Sequence, residues 1–146
     1  MQKEKNYGRI MLAIDLHPAC DGNTAQRAVE IAQDFNADLY LVHAIEHINA
    51  YGVAQAYPSV VDLEQQMLEE ARQELKHWGE RLQVPGERQS VEIGSPKSVI
   101  LDKAKQFNID LIVVGSHGRH GLSLLLGSTA NAVLHHAPCD VLAVRV

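Results

Sequence analysis

Short apolar runs alternate along this chain with longer stretches whose apolar residues recur at helical spacing, and this alternation restricts the fold more than any other feature. Residues 9–14 form one such run, ending at Asp15, and predict a strand buried on both faces. Asp21-Gly22-Asn23 then offers turn and cap chemistry, after which Ala25, Ala28, Val29, Ala32 and Phe35 share one helical face. Asn36-Ala37-Asp38 closes that helix, and residues 39–42 are the next strand. From 44 to 61 the periodicity disappears; Tyr51, Gly52, Tyr57 and Pro58 predict a long loop, suited to a lid or to a merely variable surface segment.

Helix returns over 62–82, with Leu63, Met67, Ala71, Leu75 and Trp78 as the apolar stripe and Glu64, Glu69, Arg72, Glu74 and Lys76 toward water. Val84-Pro85-Gly86 stops it. Residues 88–93 alternate polar and apolar, as an edge strand with one wet face does. Ser95 before Pro96 marks the start of a third helix, buried through Val99, Ile100, Ala104 and Phe107. Residues 110–114 are apolar and β-branched and end abruptly at Gly115; 128–136 predict a last helix, and 141–146 a fifth strand. The expectation is α/β, an open parallel sheet in one domain over 1–146.

Composition narrows the partners. A chain of 146 residues can bury one sizeable core. Eighteen acids against thirteen bases leave a net charge of −5 with no basic stripe, which argues against nucleic acid and against an anionic membrane surface. No apolar run approaches membrane-spanning length and the first six residues are polar, so a cytoplasmic protein is expected. Cys20 and Cys139 fall at opposite ends of the expected sheet and read as small buried side chains, not as a bridge. Eight histidines lack the spacing of a metal site: His117 and His120 are three apart, and the adjacent His135 and His136 diverge on a helix. They read as structural or solvated, with His117 and His120 also able to meet phosphate.

The chemistry-bearing segment follows the fourth strand: Gly115-Ser116-His117-Gly118-Arg119-His120-Gly121, then Gly127-Ser128-Thr129. Open α/β sheets take ligands beyond the carboxyl ends of their strands, where chain order reverses. Glycines let backbone N–H groups approach an anion, the helix opened by Ser128 and Thr129 turns a positive dipole end toward it, and Arg119 adds a cation. Asp15, leaving the first strand at the same edge, can accept from a ribose or base. There is no GxxxxGK[ST], and the glycines run GxxGxxG rather than GxGxxG.

At these residues the chain resembles the universal stress proteins, specifically the small single-domain type. The likeness spans nearly the whole length: Ile14-Asp15, Leu41-Val42-His43, Gly94-Ser95-Pro96, Asp110-Leu111-Ile112-Val113-Val114-Gly115-Ser116-His117-Gly118, Gly127-Ser128 and Ala137-Pro138-Cys139-Asp140-Val141-Leu142-Ala143-Val144. The resemblance implies strand order 3-2-1-4-5, helices on both faces, a homodimer, and binding of ATP or AMP, with magnesium brought by the phosphates. It carries Ala13 and Asp15 to the adenosine end, Val42 to the base pocket, and Gly115, Ser116, Gly118, Arg119, Gly127, Ser128 and Thr129 to the phosphates. The family spacing is glycine, two residues, glycine, nine residues, glycine, serine or threonine; here the second interval is eight, 119–126. A shortened connector fits either a tighter loop or a nucleotide-free interaction protein of the same fold. A slow ATPase is a third reading, one for which no well-placed general base or metal-ligand pair is visible. The terminal edge strand, apolar at Val141, Leu142, Ala143, Val144 and Val146, predicts strand-to-strand pairing of two copies, unless Arg145 and its short length protect it.

Overall fold

A computed structural model describes residues 6–16, 18–48, 60–116 and 126–145. Five strands, β1 (Arg9–Ala13), β2 (Asp38–Ile45), β3 (Gln89–Ile93), β4 (Leu111–Gly115) and β5 (Asp140–Val144), pair in parallel in the order β3-β2-β1-β4-β5. Between them run α1 (Pro18–Phe35), α2 (Val60–Leu82), α3 (Pro96–Gln106) and α4 (Ser128–His136). Leu12, Leu41 and Val113 pack with Ala28, Ala71 and Leu75 of α1 and α2 on one face of the sheet. Met11, Val42 and Ile112 pack with Ile100 and Val133 of α3 and α4 on the other. Every residue of β1 from Ile10 to Leu12 and of β4 from Leu111 to Val114 is buried, which is why both read as continuous apolar runs. Chain order reverses between β1 and β4, so their carboxyl ends open a gap between adjacent loops.

Helices α1, α2 and α3 stop by a shared device. Asn36, Gln83 and Asn108 take positive φ (51°, 59° and 52°), and the following amides of Ala37, Val84 and Ile109 reach back to the carbonyls of Ala32, Gly79 and Ala104 at 2.8–2.9 Å. At the second of these ends a side chain at Gly79 would meet the Val84 carbonyl at 2.8 Å and collide with Gln89, so only glycine fits. α3 begins as expected, with Ser95 Oγ accepting from the Ser98 amide at 3.2 Å and Pro96 in the first turn.

Four expectations are corrected. α1 starts at Pro18, so Asp21-Gly22-Asn23 lies within the helix. Asn23 is taken up by a tertiary bond, its amide donating to the Arg145 carbonyl at 2.8 Å, and the buried Thr24 and Ala25 hold that turn helical despite Gly22. β2 continues through Ala44 and Ile45, which pair with Glu92 and Ile93. Glu64 turns from water to the chain leaving β2, accepting from the Ile48 amide at 3.2 Å and approaching His47 Nδ1 at 3.3 Å. Phe35 is partly exposed, edge-on to Tyr7 with ring centres 5.0 Å apart. Cys139 is half-buried and in no disulfide, and residues 49–59 and Val146 lie outside the described residues. Among the described residues no helix is long and apolar enough to cross a membrane.

Candidate functional site

Two chain exits from the sheet build the site. Beyond β1, Ile14 is tied to β2 on both sides: its amide donates to the Val42 carbonyl at 2.9 Å, and its carbonyl accepts from His43 Nδ1 at 2.6 Å. That pins the exposed Asp15 at the sheet edge, and the chain then turns through Leu16 at φ 60°, a strained setting for a leucine. Beyond β4, the Ser116 amide donates to the Val144 carbonyl at 2.8 Å, and the Ser116 carbonyl accepts from the Gly127 amide at 2.7 Å. The second bond brings the start of α4 back against the end of β4.

No side chain caps α4 at Gly127, and its first internal bond runs from the Asn131 amide to the Gly127 carbonyl at 2.9 Å. The amides of Ser128, Thr129 and Ala130 therefore have no acceptor within the helix, and they carry its positive dipole end. All three residues line a cleft of about 810 Å³ over the β1–β4 gap, a size suited to a small molecule. The cleft walls come from both layers: Met67, Glu70, Ala71 and Glu74 of α2 on one side, Pro96 and Ile100 at α3 on the other.

Seven of the expected residues meet here: Ala13, Asp15, Val42, Gly115, Gly127, Ser128 and Thr129 line the one cleft. Val42 is nearly all core and touches it only at the floor. Ser116 is not among the lining residues and acts as the brace between β5 and α4. Gly118 and Arg119, with His117 and His120, lie outside the described residues. Sequence reasoning missed Glu70 and Glu74, which flank the α2 core stripe at i, i+4 and so share the cleft side of the helix. It also missed the cleft position of His43, a histidine inside an apolar run.

The cleft is electrically divided. Asp15, Glu46, Glu70 and Glu74 make its described ionisable lining acidic, with His43 the one other ionisable group, while the backbone amides at the α4 end present donors. Among the described residues no three His, Cys, Asp or Glu side chains are grouped to hold a metal. A second groove of about 750 Å³ runs between α2 and the β3 edge, with Arg72 and Lys76 beside Glu69 and Glu80. It has mixed charge, and the ends it meets are the C-terminus of α2 and the amino end of β3, not an α-helix N-terminus or a strand carboxyl end, so the switch-point cleft is the better-built site for an anion.

The universal stress protein family model matches residues 6–145. Universal stress protein A homolog 2 of Coxiella burnetii is 47% identical over 141 residues, covering 97% of either chain. The UspA structure from Lactobacillus plantarum superposes with a TM-score of 0.77 at 28% identity, over 97% of this chain and all of that one. A universal stress protein solved in complex with cAMP superposes with a TM-score of 0.57 at 23% identity, over 96% and 98% of the two chains.

Proposed function

The chain belongs to the universal stress protein family, and on that premise we propose that it is a nucleotide-binding stress-response module that holds ATP or AMP in the switch-point cleft. The observation that carries this reading is the uncapped start of α4 facing the cleft, a set of donors with no acceptor in the helix. Phosphates sit against Gly115, Gly127, Ser128 and Thr129, with Gly118 and Arg119 assigned to them by family resemblance. Ala13, Asp15 and Val42 take the adenosine end. The 2.7 Å bond from the Gly127 amide to the Ser116 carbonyl supports the reading against the shortened spacer, because α4 starts beside β4 despite the missing residue. The complex of a structural relative with cAMP supports the ligand class. Magnesium accompanies ATP through its phosphates, and hydrolysis is no part of the proposal.

One domain over 1–146 works in the cytoplasm as a homodimer joined through β5, the edge strand whose residues Asp140 to Ala143 are only half-buried in one copy. A second reading, a nucleotide-free interaction protein, draws on the acidic lining, which opposes a polyphosphate.

Protein purified without added nucleotide, analysed by mass spectrometry and then titrated with ATP and AMP with and without magnesium, tests the proposal. Saturable binding below millimolar supports it; no retained nucleotide and no saturation favour the second reading. Light scattering should give twice the chain mass, and a monomer at micromolar concentration defeats the β5 pairing.

A further inference from the structure

His43 is the one titratable side chain among the described residues that is both buried and part of the cleft. Only 8% of it is exposed. Its Nδ1 lies 2.6 Å from the Ile14 carbonyl oxygen, which can only accept, so Nδ1 carries the hydrogen. In the neutral ring Nε2 is then a lone-pair acceptor. Nε2 has no hydrogen-bond partner among the described residues, yet no buried side-chain nitrogen or oxygen among them lacks one. The nitrogen is therefore not sealed, and the space it reaches is the cleft that the residue lines.

Its position in β2 says which part of the cleft. Side chains alternate along a strand, and Leu41 and Ile45 belong to the layer under α1 and α2, while Val42 packs with α3 and α4. His43 thus opens toward the α2 side, where Glu70 and Glu74 also offer only acceptors at neutral pH. The first backbone amides of α4 offer only donors. A ligand that satisfies both ends has an anionic group at one end and hydroxyl or amino hydrogens at the other.

We infer that His43 is a recognition residue, whose Nε2 accepts a hydrogen bond from a hydroxyl or amino group of the bound nucleotide while Nδ1 holds the loop that carries Asp15. The inference rests on the proposed nucleotide site and names the group that reads the donor end of its ligand. The ribose hydroxyls and the purine amino group are the two sources of such a donor, and the test separates them.

Two substitutions divide the two nitrogens. In His43→Asn the amide can still donate to Ile14 but nothing reaches the Nε2 position; in His43→Gln the amide oxygen reaches the Nε2 position and the Ile14 bond is lost. AMP, IMP and 2′,3′-dideoxy-AMP are titrated against the full chain and both variants, with thermal unfolding in parallel. Asn is expected to unfold near the wild-type temperature and bind AMP about fivefold to tenfold more weakly. Gln is expected to unfold lower and keep most of the affinity. The analogue that lacks the donor read by His43 binds wild type and Asn equally: IMP if it is the amino group, the dideoxy compound if it is a hydroxyl. Equal AMP affinity in wild type and Asn overturns the inference and leaves the nucleotide site standing. So does an affinity that tracks unfolding temperature across both variants, or an Asn defect equal for all three ligands. No AMP or ATP binding by the wild type overturns both readings together.

Discussion

The two ends of the sheet are built to opposite rules. At the amino ends of the strands, polar groups are matched within the chain. The Asp110 carboxylate accepts from the Gly8 and Arg9 amides at 2.9 Å each, the Arg9 guanidinium donates to the Phe107 carbonyl at 2.8 Å, and Tyr7 donates to Asp140 at 2.7 Å. At the carboxyl ends, α4 begins at Gly127 with no side-chain cap, Leu16 is held at positive φ, and a cleft stands where packing would otherwise continue. One end secures the fold, and the other holds the cleft proposed above for the ligand. Stability and binding should therefore respond to different substitutions.

The largest effect tests this from the open end. Thr129→Asp places a carboxylate among the free amides of α4, where it strengthens the helix by a few tenths to about 1 kcal/mol. The same charge repels a phosphate and takes its donors, so affinity for ATP should fall on the order of a hundredfold, about 3 kcal/mol. Calorimetric titration and thermal melting should move in opposite directions; a parallel loss of both breaks the comparison.

Next comes the closed end. Asp110→Ala leaves two amides without their acceptor and should lower unfolding stability by about 2 kcal/mol, with nucleotide affinity within about twofold of wild type. Urea denaturation and titration measure the two sides. Tyr7→Phe should cost about 1 kcal/mol at neutral pH. The phenol is raised above its usual value of 10.0, first by its hydrogen bond to Asp140, then by burial and by the neighbouring negative charge of Asp140. Its contribution is therefore complete below pH 10.0 and drains away as pH climbs through the raised value. Denaturation between pH 8 and about 11 should show wild type losing its advantage over Tyr7→Phe.

The smallest change sharpens the comparison within the cleft. Glu70→Gln with Glu74→Gln should improve ATP affinity by a few tenths to about 1 kcal/mol at low salt, less at high salt, with stability within about 0.5 kcal/mol. AMP, carrying less charge, should gain less than ATP, and titration of both ligands at two ionic strengths measures the ratio.

The architecture was legible because burial on both faces leaves a plain mark: Ile10 to Leu12 and Leu111 to Val114 have no polar member to confuse their period. The Gly127-Ser128-Thr129 start of α4 was legible from its own local turn chemistry. What escaped depends on partners far along the chain. The start of α1 was hidden by a turn-like tripeptide whose Asn23 is satisfied by Arg145, 122 residues on. Glu64 looked like any helix-surface acid until the chain after β2 came to rest on it. His43 shows its two-sided role only once the Ile14 carbonyl, 29 residues earlier, claims one ring nitrogen and the cleft exposes the other.

The strand order has a consequence for how the molecule is made. Ile10 of β1 pairs with Leu111 of β4, about a hundred residues later, so the centre of the sheet cannot close until most of the chain has been synthesised. A β1–β2–β3 sheet formed before then would have β1, buried at Ile10 to Leu12 in the finished fold, along its open side, and an unpaired apolar edge is prone to join a stranger's strand. Pairing of β4 covers the open side of β1, and β5 then covers the apolar β4 in turn.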